Sequence, residues 1–330
     1  MNHEFHFYGT YYLAVHAGFS PDDAETLANA AQMPDTCLVS YRVATDTGTM
    51  YDTTATHHYG FWDTRHEWEI WIPFHFVPGD STAAAALRKD GRKSAYAVTA
   101  NSESAKKLLL AALRTRDLFR LGIALHAFAD TWAHQNFSGR NEALNTVDPT
   151  SVVPPIGHAH VRRAPDIIDE IWTDPRLRAP NERIVNRERF LDSARVIYKY
   201  LCTYNRRTFA DAEIVIDTLS GLLGKGKSNE EKVYDFIIEC GAPEYRRNAW
   251  KKDALIDPYE PDLGNFESTY EKLEWLTKEV LAKAAIGEKK PVESRPGFYS
   301  SPYYRWMEAA KRHRTEARKI LGHLTSSARA

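Results

Sequence analysis

Cysteine is scarce in these 330 residues: only Cys37, Cys202 and Cys240 occur, an odd number without CxxC spacing. That excludes a disulfide framework and a thiolate metal site, and leaves three thiols expected to be buried. Long apolar runs are also missing. A membrane span needs roughly 18 or more uninterrupted apolar residues, and the longest candidate, Leu108–Leu113, is cut by Arg114 and Arg116. The start, Met1-Asn2-His3-Glu4-Phe5-His6, has neither a basic nor an apolar leader region. The expectation is a cytoplasmic protein as synthesised, with export by a route independent of a signal left open. Excess charge is absent too: 43 Lys+Arg stand against 44 Asp+Glu, a net −1. A broad electrostatic grip on nucleic acid is thereby disfavoured, which leaves room for local basic patches only. There is no internal repeat and no low-complexity tract.

What is present is the composition of a folded globular chain, 43% hydrophobic and 26% charged, long enough for one large domain or two ordinary ones. The pattern predicts a mainly α fold. A first helix spans 5–16 and ends at Gly18. Ser20-Pro21-Asp22-Asp23 then starts a second helix that Pro34 stops near Gln32, which places Asp35 just past the helix end. Residues 40–80 form a loop-rich excursion with room for short strands, 67–72 being one option. From Ser104 to Phe137 the apolar spacing is nearly continuous and predicts one central buried helix. Pro165 suits the first turn of another. Further helices are expected at 182–205, 211–223, 229–240 (with a Ser228/Glu231 capping box and Gly241 as C-cap), 266–286 and 304–324, and 242–265 and 288–303 read as loops. In domain terms, 1–175 forms a metal-binding helical core, and 176–330 a helical C-terminal half packed on it.

Histidine is unevenly placed. Of 13, 11 fall before residue 161, so the chemistry of the chain is concentrated there. His126, Asp130 and His134 stand at i, i+4 and i+8; at 100° per residue they drift only about 80° and share one helix face. Two imidazoles and a carboxylate on an apolar helix are costly to bury without partners, and together they are a ligand set for a borderline metal. Similar fragments surround them: His6, Asp35, His75 in Phe74-His75-Phe76, and His158 or His160 with Asp166. His57 and His58 are alternatives to His75.

In order and type these residues resemble the zinc-dependent phospholipase C and P1/S1 nuclease superfamily, over about half of the chain, residues 3–170. The resemblance implies a multi-helix bundle with a trinuclear zinc cleft. It implies as ligands His6, Asp35, His75, His126, Asp130, His134, His158 or His160, and Asp166. Asp130 would bridge two of two or three zinc ions, one completed by Asp35, His75 and His126, the other by His6. Members of that superfamily bind zinc through the amine and carbonyl of an N-terminal Trp; here His3 is the candidate substitute. The implied activity is hydrolysis of a phosphoric ester, phospholipid or nucleic acid/nucleotide, by a metal-bridged hydroxide attacking phosphorus. Asp35 and Asp130 are the catalytic candidates, Asp35 as general base. Trp132, Arg162 and Arg163 are supporting candidates, the arginines for a substrate phosphate or merely as solvated loop residues. The aromatic stretch Tyr59 to Phe76 is either a substrate wall, open to peripheral membrane contact, or a packed core. The competing reading is a non-catalytic helical binding or scaffold protein with a structural metal cluster. An HD-type phosphohydrolase is excluded because no His-Asp pair is adjacent.

Overall fold

The computed structural model describes residues 1–57, 66–151, 153–260 and 289–327. It is mainly α. The chain opens with a π-helical segment, Glu4–Gly9, that runs into α1, Thr10–His16. Helix α2, Pro21–Thr36, begins as the sequence predicts, with the Ser20 side chain accepting from the Asp23 amide at 3.2 Å. It does not stop before Pro34, however; Asp35 lies inside its last turn. Proline lacks the N–H that would serve the Ala30 carbonyl, and the Trp306 Nε1–H donates to that carbonyl instead, at 3.1 Å. A partner from the far end of the chain therefore makes the proline tolerable in the helix.

The expected central helix is two. Helix α5, Glu103–Leu113, and helix α6, Leu118–Ala133, are separated by a turn in which Arg116 adopts φ 56°. Asp117 restarts the chain as an N-cap, its carboxylate accepting from the amides of Phe119 (2.9 Å) and Arg120 (3.4 Å). Helix α6 is buried almost throughout and lies against α2, α5, α7 (Asn186–Tyr204) and α11 (Pro302–Ile320). Helices α8, Ala212–Leu222, and α9, Asn229–Cys240, fall where expected, α9 with both arms of the Ser228/Glu231 capping box and Gly241 left-handed behind it. The expected helix at 266–286 lies outside the described residues.

Two expected loops carry regular structure. Helix α10, Ala249–Ala254, and strand β5, Leu255–Ile256, occupy the first; β6, Lys290–Ser294, the second. Strands β1, Tyr41–Ala44, and β2, Met50–Asp52, belong to the 40–80 excursion, and the sheet order is β2-β1-β6-β5. β6 runs parallel to β1, with Val43 opposite Val292. β1 and β2 are short strands of the kind the excursion has room for, whereas β5 and β6, of two and five residues, are too short for the sequence pattern to place them. The suggested strand near 67–72 is instead a π-helical turn, Glu67–Trp71, leading into α3, Ile72–Phe74. Helix α4, Ser81–Leu87, and a small hairpin of β3, Ile171–Thr173, with β4, Arg183–Val185, complete what surrounds the site.

Both halves of the chain contribute to the same clusters. One joins Phe5, Leu27 and Leu125 to Phe190, Tyr198 and Phe236; another joins Tyr41, Phe74 and Phe119 to Trp306 and Met307. Cys37 and Cys202 are buried and Cys240 half-buried. No described helix is long and apolar enough to cross a membrane.

Candidate metal centre

Five segments converge on one point. The first π-helical segment carries His6, the last turn of α2 carries Asp35, and the second π-helical turn with α3 delivers His75. Helix α6 supplies His126 and Asp130, with His134 as its C-cap. Two 3-10 turns, Ala159–Val161 and Ala164–Asp166, present His158 and Asp166. π-helical turns rotate the following side chains relative to an α-helix and occur often at functional sites. Of those seen here, the first contains His6 and the second leads through α3 to His75.

Asp130, buried, is the hub. On one side, Asp130 Oδ2 lies 3.4 Å from His75 Nδ1 and 3.3 Å from His126 Nε2. Those two nitrogens are 3.2 Å apart and lie 3.7 and 3.5 Å from Asp35 Oδ1. On the other side, Asp130 Oδ1 is 3.2 Å from His6 Nε2 and 2.6 Å from the α-amino group of Met1. A third group is centred on Asp166, whose carboxylate oxygens are 3.1 Å from His134 Nε2, 3.3 Å from His158 Nε2 and 3.1 Å from the same amine.

The orientation of the rings fits a metal. His75 Nε2 bonds the Thr56 carbonyl (2.8 Å), His126 Nδ1 that of Ala31 (2.8 Å), His134 Nδ1 that of His75 (2.8 Å) and His158 Nδ1 that of Arg162 (2.6 Å). A carbonyl only accepts, so each outer nitrogen is the N–H and each neutral ring turns a lone pair inward. Histidines that ligate metals are held in this way. In the Asp35, His75, His126, Asp130 group, the five separations above run from 3.2 to 3.7 Å. Bonds of about 2.0–2.2 Å in a four-coordinate zinc site require ligand–ligand edges of about 3.3–3.6 Å. Acceptors packed this closely repel unless a cation or proton lies among them.

The local field favours cations. Burial works to lower the pKa of the Met1 amine, yet the carboxylates of Asp130, Asp166 and Asp35 raise it to about 11. Burial likewise opposes protonation of His126, and Asp35 and Asp130 overcome it, so its pKa rises. His6 behaves oppositely: burial, reinforced by His126 and the amine, lowers it to about 4, so it stays neutral and able to ligate. Burial alone would raise the carboxyls of Asp130 and Asp166, but the amine and the neighbouring histidines hold both well below the ordinary carboxylate range. A metal ion entering here would compete with protons.

The cluster is not sealed. It forms the floor of a cleft of about 240 Å³ whose walls include Gln32, Trp71, Ile156, Arg162 and Arg247. The side chains of Asp35, His158 and Asp166 keep 28%, 22% and 19% of their surface exposed, whereas His126 keeps none.

Of the candidate ligands, His6, Asp35, His75, His126, Asp130, His134, His158 and Asp166 meet in this cluster. His160 does not. Its Nδ1 accepts from the amides of Val147 and Asp148, and its Nε2 donates to the Val153 carbonyl, so both nitrogens hold the loop together. His3 lines the cleft with its Nδ1 3.4 Å from Glu4 and belongs to none of the ligand groups, and the amine of Met1 stands where a ligand from the N-terminus is expected. His57 lies edge-on to the His75 ring at 5.1 Å and joins it instead of replacing it, with ligand atoms of Asp35, His57 and His75 all within 4.8 Å of one another; His58 is outside the described residues. Trp132 packs on Phe128 in the core instead of supporting the site. Of the aromatic excursion, Trp71 lines the cleft and Phe76 stacks on His134 at 4.6 Å, while Phe74 is core; Tyr59, Phe61 and Trp62 lie outside the described residues. The backbone carbonyls of Ala31, Thr56, His75 and Arg162 were invisible to sequence reasoning because no side chain marks them.

Fold and cluster together define a mainly α-helical protein with a candidate multinuclear metal centre at the floor of a cleft. The chain belongs to a family of unknown function, DUF6765, which it matches over residues 1–321. No curated protein and no solved structure matches it.

Proposed function

We propose that the protein is a zinc-dependent hydrolase of phosphoric esters, similar in its centre to the zinc phospholipase C and P1/S1 nuclease superfamily. The observation that carries this reading is the bidentate placement of Asp130, one oxygen beside His6 and the Met1 amine and the other beside His75 and His126, with Asp35 completing the second group. His134, His158 and Asp166 would hold a further ion. Bound zinc would supply Lewis acidity toward phosphoryl oxygens and water activation near neutral pH.

The chain's own residues do the rest. Asp35 Oδ1 belongs to the ligand group, while Oδ2 accepts from the Nε2 of buried Gln32 at 3.4 Å, and the Asp35 side chain keeps 28% of its surface exposed. Asp35 Oδ2 is thus the atom placed to take a proton from an attacking water. Trp71 and Ile156 exclude solvent from one wall, and the arginines of the cleft face the substrate's negative charge. A purely structural cluster would be enclosed; the exposure of Asp35, His158 and Asp166 supports a site meant to be reached.

The test is chelation and reloading. Hydrolysis of a chromogenic phosphodiester should vanish on metal removal, with helicity retained, and return with zinc. Loss of helicity in step with the metal, and no turnover of phosphodiester or phospholipid by the reloaded protein, would support the structural alternative.

A further inference from the structure

The charged residues of the cleft divide into two sets. Among the described residues, every acidic residue lining it, Asp35, Asp130 and Asp166, is already a member of the metal-ligand groups. Among the described residues, every Asp, Glu, Lys or Arg outside those groups is an arginine: Arg162, Arg163 and Arg247. They come from separate segments. Arg162 and Arg163 follow the 3-10 turn that carries His158, whereas Arg247 precedes α10. Arg162 and Arg247 are exposed at the cleft, so their guanidinium groups remain reachable from solvent.

Arg162 is held in place by the site itself. Its backbone adopts φ 55° and ψ −126°, a conformation costly for a residue with a Cβ, and its carbonyl accepts the His158 Nδ1–H at 2.6 Å. Strain of this kind persists where surrounding structure over-determines it. Here the same residue orients a cluster histidine through its backbone and offers a cation to the cleft through its side chain. A substrate bearing a quaternary ammonium group would need a carboxylate or an aromatic cage beside the scissile phosphate. Among the described residues the cleft offers no carboxylate beyond the ligands, and of its two carbocyclic aromatic side chains, Trp71 and Phe76, the second is already stacked on His134. Planar guanidinium forks instead suit phosphate oxygens.

Resting on the hydrolase reading above, we infer that the natural substrate carries a second phosphate-class anion besides the phosphate that is cleaved, and that Arg162 and Arg247 bind it. The substrate class is a phosphorylated phosphodiester, with the additional phosphate either on a nucleotide or on a lipid-type headgroup.

Two matched pairs separate the sources: thymidylyl-thymidine with and without a 5′-phosphate, and glycerophosphoinositol with and without a 4-phosphate. Each is offered to zinc-loaded wild type, Arg162→Gln and Arg247→Gln at fixed ionic strength. The reading is kcat/KM where hydrolysis occurs and Kd by calorimetry where it does not. The additional phosphate should favour one pair by about tenfold or more in wild type, and that ratio should fall to about threefold or less in each variant. The pair that shows it identifies the source. Equal treatment of both members of both pairs, or a ratio unchanged in both variants, would overturn the inference. A binding preference without cleavage of any of the four compounds would sink the hydrolase reading and leave the second anion site standing; cleavage without preference would do the reverse. Arg247→Gln carries no backbone strain, so it keeps the test decisive if Arg162→Gln folds poorly.

Discussion

Gly122 is where the candidate metal centre depends on packing between helices, through a residue that is not itself a ligand. It sits in α6, one turn before His126, where α6 presses on α2. A Cβ at this position would lie 2.5 Å from Ala30 Cβ, 2.7 Å from the Leu27 carbonyl oxygen and 2.9 Å from the Ala30 carbonyl carbon. Ordinary contact begins near 3.4 Å, so the helices must separate by about 1 Å, and two of the three obstructing atoms are backbone. Helix propensity alone would make Gly122→Ala stabilising by up to about 1 kcal/mol. Overpacking costs about 1–3 kcal/mol or more, so the net expectation is a loss of up to about 2 kcal/mol. A separation of that size also pulls Asp35, on α2, away from His126, where the present gap is 3.5 Å. Metal content should therefore fall together with stability. Gly221→Ala in α8 is the matched control: no atom of the described residues lies within 4 Å of its Cβ, so it should gain about 0.5–1 kcal/mol and keep its metal. Calorimetric melting with metal analysis reads both. A Gly122→Ala protein as stable as wild type and fully loaded would refute the link between helix spacing and site.

Other expectations follow from single contacts. His158→Gln should lose bound metal, whereas His160→Gln should keep it and lose only stability, about 1–2 kcal/mol from the loop bonds it makes; metal analysis of the pair decides. Trp306→Phe removes the donor that serves the Ala30 carbonyl, which Pro34 cannot serve, and should cost about 1–3 kcal/mol by denaturant titration. His313 sits in the core with Nε2 donating to the Pro73 carbonyl at 2.9 Å, and burial, aided by Arg120 and His126, lowers its pKa to about 4. The unfolded chain binds that proton near pH 6.5, so the folded state is undiminished above about pH 6.5 and loses stability as pH falls from there toward 4. The loss is at most about 3 kcal/mol. Replacing His313 with Gln should flatten that part of the profile of melting temperature against pH; an unchanged slope would contradict the assignment.

The parts of the site legible in the sequence were those governed by one period or one local rule. His126, Asp130 and His134 share a face because 100° per residue dictates it, and the caps at Ser20 and Ser228 are local chemistry. What the sequence hid is non-local or lies in the backbone. Asp35 stays helical because Trp306, in α11, partners the carbonyl that Pro34 orphans. The single helix expected over 104–137 breaks because Arg116 turns left-handed and Asp117 caps, which outweighs an apolar pattern running straight through. β1 finds a parallel partner in β6, a strand too short to be recognised. The Met1 amine carries no side-chain signature, yet it lies between Asp130 and Asp166.

The most direct measurement is zinc per chain by inductively coupled plasma mass spectrometry, on wild type and Asp130→Ala purified without chelator or metal-binding tag. A hub that touches His6, His75, His126 and the Met1 amine implies about two or three equivalents in wild type and at least about one fewer in the variant. Less than about half an equivalent in wild type, with intact helicity and no uptake of added zinc, would contradict the metal centre and leave a helical protein with buried, hydrogen-bonded histidines.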